Sequence, residues 1–280
     1  MLNPRLILVS IIWGVNFAFV KFALHDFAPL SFTIVRFALA ALFLIAIMLA
    51  KHESLFMERR DIVPVIGLGL IGITLYNLLF MYGLNYTTAS NSALFISSSP
   101  LFAVLIKTVA EKTSFSARGT TGLMLSSLGV FLVIWSKPGG ITLSRQAIAG
   151  DLLTLCAALF WALYTMKSKP LLEKYSAVKV TAYAMASGTV MLLPLGAREL
   201  LHQSWSAVSF PSWAALAFTL WYDGVKKFGV TRTIVYHYLV PFVAVLFAAL
   251  FLGERITIPQ ILGGLAILAG VVMVQQVRNR

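Results

Sequence analysis

Apolar residues in this chain run in blocks of about 20, separated by short polar stretches, and the blocks recur from one end to the other. A block of that length crosses roughly 30 Å of hydrocarbon at 1.5 Å per residue. Because lipid offers the backbone no hydrogen-bond partner, each block reads as a helix. The pattern predicts helices over 5–24, 30–50, 62–84, 90–111, 117–136, 150–170, 177–197, 209–224, 231–252 and 258–276. Pro29, Pro138, Pro211 and the polar run Lys51–Asp61 punctuate them, as expected where helices stop at the interface. The fold class expected is all-α and integral to the membrane, with ten transmembrane helices.

Composition agrees, with 59% hydrophobic and 11% charged residues, where soluble domains carry about a quarter charged. Residues Met1–Arg5 hold little charge, and no Ala-x-Ala-type cleavage site follows, so the first block is expected to stay as a helix. The net charge of +12 comes from basic residues placed singly or in small groups between the blocks, which argues for topology and against a nucleic-acid surface. With a cytoplasmic N-terminus, 16 Lys and Arg fall on the inner side and 5 on the outer, Arg36 lying inside a helix. Both termini are therefore expected in the cytoplasm. Cys156 stands alone and reads as packing.

A stretch of the chain repeats at an offset of 141 residues. Pro100, Ala103, Val104, Leu105, Gly122, Gly129, Val130 and Val133 match Pro241, Ala244, Val245, Leu246, Gly263, Gly270, Val271 and Val274. Shared Pro and Gly mark shared bends and close contacts, so the match reads as a duplication, residues 1–145 and 146–280. Five helices per half is an odd number, so the second half enters the membrane from the opposite side and the repeat is inverted. Trp13 and Lys21 match Trp161 and Lys169 at a separate offset of 148. The eighth helix departs from the pattern near 213–224. Either it is tilted in a thinned site, or about ten residues are absent near Phe218–Thr219; the second is favoured, and a continuous spanning helix there would overturn it.

Polar side chains in hydrocarbon are costly unless they pair or face water, so their positions trace a path. Asn16, Tyr76, Asn77, Ser97, Ser98, Ser99, Tyr164, Thr165, Tyr236, His237 and Tyr238 fall near mid-membrane. Aromatic Trp13, Tyr82, Trp161, Trp221 and Tyr222 join them. Together they suit a cavity for a small amphipathic solute, with cation–π attraction open to an amine; the alternative for Trp and Tyr is the interfacial belt. His237 could respond to pH, or simply be hydrogen-bonded between helices. Arg36 could attract a carboxylate or snorkel. Glu254 and Arg255 are expected to cap or link the ninth and tenth helices. Pro100 and Pro241 are candidate hinges, since a proline withholds one helical hydrogen bond. No catalytic or metal-binding constellation is present in the sequence: no Walker motif, HExxH, CxxC or Gly-x-Ser-x-Gly occurs, and His25, His52, His202 and His237 fall at scattered depths. No cofactor is expected, and the partners expected are a small-molecule substrate and the lipid bilayer.

Several strings carry a family resemblance. They are Trp13-Gly14-Val15-Asn16-Phe17, Arg36 with Ala38 and Ala40, Ala89-Ser90-Asn91-Ser92-Ala93, and Leu252-Gly253-Glu254-Arg255-Ile256-Thr257 followed by Gln260 and Gly263-Gly264. Over essentially its whole length the chain resembles the EamA-type exporters of the drug/metabolite transporter superfamily, with YddG-type amino-acid exporters as one possible relative. The resemblance implies a secondary transporter of small metabolites, most often amino acids, working outward across the plasma (inner) membrane of a bacterial cell. The alternatives are a nucleotide-sugar or lipid-linked carrier, which would want several basic residues in the cavity, and a drug or cation exporter. An intramembrane enzyme would need a paired nucleophile or carboxylates at one depth.

Overall fold

The computed structural model describes residues 4–110, 117–135, 144–225 and 239–278, with side chains described for 11–110, 117–133, 144–219 and 240–273. Among them there are helices, one short 3-10 turn and connections, but no strand. In chain order the helices are α1 (Pro4–Ala23), α2 (Pro29–Ala50), α3 (Arg59–Tyr86), α4 (Ala89–Ala110), α5 (Ala117–Trp135), α6 (Arg145–Lys174), α7 (Ala177–His202), α8 (Phe210–Val225), α9 (Leu239–Leu252) and α10 (Ile258–Arg278). Five of them, α2, α3, α4, α6 and α7, are long and apolar enough to cross a membrane. Apolar stretches in α1, α5, α9 and α10 add to these. The helices α3 and α6 outrun their expected bounds at both ends. At α6 this is because Ser144 caps the start, its hydroxyl accepting the Ala147 amide at 3.4 Å.

The eighth helix runs unbroken through Phe218–Thr219, where the Thr219 hydroxyl donates to the Leu216 carbonyl at 2.7 Å. Its 16 residues reach about 24 Å, short of the bilayer core.

Four apolar clusters hold the helices, one of them setting Val65 and Leu68 of α3 against Leu171 of α6 and Val180 and Ala184 of α7. The largest joins Phe17 and Val20 of α1, Phe32 of α2, Phe80, Met81 and Leu84 of α3, Ala93 of α4, Leu216 of α8 and Ala244 of α9. A second sets Ile34, Phe37 and Leu44 of α2 against Met185 and Leu192 of α7. The third sets Phe95 of α4 and Val133 of α5 against Ile267 and Val271 of α10. The main pairings are α5 with α10, α2 with α7, α3 with α6 and α7, α1 with α8 and α9, and α6 with α4.

The α5–α10 contact is made by glycines. A Cβ built on Gly129 would stand 2.5 Å from the Gly263 carbonyl oxygen, and one on Gly270 2.3 Å from that of Gly122. Between these crossings the buried Ser126 hydroxyl donates to the Ile267 carbonyl at 3.1 Å. With lipid as apolar as the helices themselves, association rests on close packing and such hydrogen bonds, which only small residues permit.

Hydrogen bonds gather the helix ends at two poles. At the first pole Lys21 Nζ donates to the Leu84 and Asn85 carbonyls at 2.6 and 2.9 Å, and Gln203 Nε2 to the Asp26 carbonyl at 2.9 Å. Asp26 accepts the Ser209 amide at 3.0 Å and the Ser209 hydroxyl at 2.5 Å. At the second pole Asp61 accepts Lys174 Nζ at 3.0 Å, and the Tyr183 hydroxyl donates to the Leu55 carbonyl at 2.5 Å.

Gly129→Leu or Gly270→Leu should force α5 and α10 apart and lower the detergent melting temperature by several degrees, overpacking costing about 1–3 kcal/mol. Gly67→Ala, which meets nothing within 4 Å, should leave it unchanged. The Ser209 hydroxyl, followed by Ser212 and the Ser209 amide, holds the Asp26 carboxyl below the usual carboxylate range. The stabilisation from that depressed value is complete above about pH 4 and is lost as pH falls through the folded value. In melts taken down to pH 3, Asp26→Asn should lose less stability on acidification than the parent.

Candidate functional site

Midway along α3 the chain leaves α-helical bonding, and Gly69–Leu75 form a π-helical turn. Such wide turns are rare and concentrate at functional sites. The backbone carbonyls exposed by the widening are met by side chains of the same helix. The Asn77 Nδ2 donates to the Gly72 and Ile73 carbonyls at 3.2 and 3.0 Å, and the Thr74 hydroxyl reaches the Gly188 carbonyl of α7 at 3.0 Å. Gly72 lets α6 in: a Cβ there would stand 2.1 Å from the Tyr164 ring.

From this turn a line of rings crosses the bundle. Tyr76 stacks on Phe80 with centroids 5.5 Å apart and meets Trp161 of α6 at 5.1 Å. Trp161 stacks on Tyr164 at 5.6 Å, and Phe80 meets Phe17 of α1 edge-on at 5.5 Å. Tyr76, Trp161 and Tyr164 are half-buried, and half-buried Trp13 packs on the same core. Aromatic faces so arranged offer apolar area and a negative quadrupole.

In α4 the helical run lapses at Ser97–Ser98, and Pro100 sits in the first turn of the continuation, where its missing N–H is not needed. The Ser97 and Ser98 hydroxyls donate to the Leu94 and Phe95 carbonyls, each at 2.6 Å. Those serines therefore serve the break itself. Pro241 is buried in the first turn of α9 and lines a small cavity of about 80 Å³ with Leu94, Gln260 and Gly264.

The remaining site candidates scatter. Tyr82 hydrogen-bonds Glu199 of α7 at the first pole, away from the ring line. Asn16 is buried in α1. Trp221 and Tyr222 belong to α8, but their side chains, together with all of Tyr236, His237 and Tyr238, lie outside the described residues. Arg36 is 5% exposed, its guanidinium 4.4 Å from the Phe37 ring centroid, so it stacks inside the bundle and does not snorkel.

Glu199 and Asp151, which hold helix ends at the first pole, were not singled out by the sequence pattern. Glu254, expected to cap or link α9 and α10, caps α4 instead. Gly253, at φ +65°, turns the chain, and the carboxylate accepts the Ala89 and Ser90 amides of α4 at 2.7 and 3.1 Å and the Ser90 hydroxyl at 2.6 Å. Glu199 accepts the Leu30 amide at 2.7 Å, doing the same for α2. Negative charge at a helix N-terminus both satisfies orphan amides and opposes the macrodipole. Beneath Glu254, wholly buried Asp151 accepts the Thr87 hydroxyl and, at 3.3 Å, the Asn91 amide, while Gln260 donates to Asn91 Oδ1 at 2.5 Å. Its depth follows from the early start of α6.

Membrane-length helices packed through glycine contacts, with polar turns and rings placed between them, define a multi-pass transporter architecture. The chain belongs to the EamA-like transporter family, whose model matches residues 5–135 and again 148–275. An uncharacterized transporter of Archaeoglobus fulgidus is 31% identical over 278 residues, 95% of this chain and 94% of that one. A probable terminal-alkyne amino-acid exporter of Streptantibioticus cattleyicolor is 26% identical over 97% of this chain and 92% of its own length. A probable amino-acid metabolite efflux pump of Escherichia coli is 25% identical over 94% and 91%. Family and relatives are transporters, which points away from enzymatic activity.

Glu254→Ala should remove the α4 cap and lower thermal stability by about 1–3 kcal/mol, with Glu254→Gln losing less; a fluorescence melt in detergent reads both.

Proposed function

We propose that this protein is a secondary transporter that moves a small amphipathic metabolite, an amino acid or a close relative, across the plasma membrane by alternating access, in the direction of export. The ring line from Phe17 through Tyr76 to Tyr164, laid against the π turn of α3, carries this reading. It offers apolar faces and polar groups midway through the bundle, where a solute of mixed character would rest. The two relatives named for amino acids and their metabolites support the solute class.

Ten transmembrane helices in two inverted halves, with both termini cytoplasmic, complete the proposal. The family match falls once on each half. The pairings also exchange in step: replacing each helix by the one five places on turns α1–α9 into α6–α4 and α1–α8 into α6–α3, and returns α2–α7 and α5–α10 to themselves. Ser126 and Ile267, joined by a hydrogen bond, are equivalent positions at the 141-residue offset, as expected on a two-fold axis. The 16 to 5 split of basic residues favours a cytoplasmic second pole. The break at Ser97–Pro100 divides α4 into parts that can rock about the site.

Counterflow into proteoliposomes, run against amino acids, sugars and amphipathic cations, tests the reading. Amino-acid exchange is expected, and no exchange of any solute by folded protein would overturn it. Trp161→Ala should raise the half-saturation concentration for aromatic solutes by up to about tenfold, the worth of a lost ring contact. Pro100→Ala should lower the exchange rate more than it changes half-saturation.

A further inference from the structure

We infer that the carbonyl oxygens of Asn77 and Asn16 read the ammonium group of a zwitterionic solute, a specificity device that rests on the transporter reading above.

Among the described residues both oxygens are buried without a hydrogen-bond partner, in residues 1% and 8% exposed. For Asn77 the assignment of the two amide ends follows from its surroundings. Its Nδ2 is committed to the Gly72 and Ile73 carbonyls, and nitrogen and oxygen occupy opposite edges of a planar amide, so Oδ1 is the atom turned off the helix. An acceptor held in that way, in hydrocarbon, is a standing cost that a donor from a solute relieves. The π turn explains how the cost persists, because the widened backbone takes up the amide nitrogen and so orients the oxygen.

The two asparagines share a level. Asn16 lies seven residues before the end of α1, Arg36 seven after the start of α2, and Asn77 nine before the end of α3, placing all three about 10–14 Å below the first pole. They also share a neighbourhood. Phe17, Phe32 and Phe80 belong to one buried cluster; Asn16 adjoins Phe17, Asn77 lies one turn from Phe80, and the Arg36 guanidinium stands 5.9 Å from the Phe32 centroid.

Charge then selects the solute. Two carbonyl oxygens accept but cannot donate, so together they favour a group with several donors: an ammonium has three N–H, where a hydroxyl or an acylated nitrogen has one and a carboxylate none. Arg36, buried at the same level, adds a positive charge that disfavours a bare organic cation and favours a molecule that also carries a carboxylate. An α-amino acid satisfies both demands, and its side chain is left to the Tyr76–Trp161 rings.

Counterflow with leucine and phenylalanine, set against their 2-hydroxy-acid and N-acetyl counterparts, tests this directly. The parent protein should prefer the free amino acids by about tenfold or more, the worth of a matched buried hydrogen bond. Asn77→Leu should reduce that preference to less than about threefold. Asn16→Leu, which leaves the α3 turn untouched, should weaken it in the same direction and guards against a variant that merely misfolds. Full preference retained by folded Asn77→Leu and Asn16→Leu would overturn the inference while leaving transport standing. So would equal exchange of amino and hydroxy acids by the parent. Absence of all exchange would overturn both.

Discussion

Hydrocarbon offers no hydrogen bonds to a backbone, and this constraint organises the whole bundle. Where α-helical bonding lapses among the described residues, side chains take its place: Thr74 on the Gly69 carbonyl and Asn77 on the Gly72 carbonyl at the π turn, Ser97 and Ser98 at the break in α4, Lys21 at the end of α3. Helix starts at the first pole are met in the same way by Glu254 and Glu199, whose carboxylates also oppose the helix dipoles. The polar residues are therefore distributed largely by backbone need.

Packing follows a second rule set by the same solvent. Since lipid is no worse a neighbour than leucine, helices associate where small residues let backbones approach, and Gly129 against Gly263 and Gly122 against Gly270 make the tightest such seam. That seam joins α5 to α10 and lies apart from the ring line, which is built by α1, α3 and α6.

Much of the architecture was legible from the spacing of apolar blocks. The described helices fall within a few residues of expectation, apart from both ends of α6 and the end of α7, the expected start of α9 at 231 lying outside the described residues, and Pro100 does mark a break. The site was legible only in part. Trp161, Tyr164 and Tyr76 do meet, yet Tyr82 is drawn off by Glu199, and Ser97 and Ser98 are spent on their own helix. Asp151 went unnoticed because its burial depends on an N-cap at Ser144 that moves the helix start outward.

Periodicity and composition by themselves determined that this chain is helical and membrane-embedded, because the cost of exposing a backbone to lipid acts locally and leaves its mark on every block. Which side chain answers which vacancy was decided only by tertiary structure. Glu254 lies 165 residues from the Ala89 amide it caps, and Thr74 114 from the Gly188 carbonyl it reaches. Hydrogen-bond need is written into sequence at the position that has it, but the partner is found across the bundle, where only the packing of α3 on α7 and of α4 on α9 brings it near.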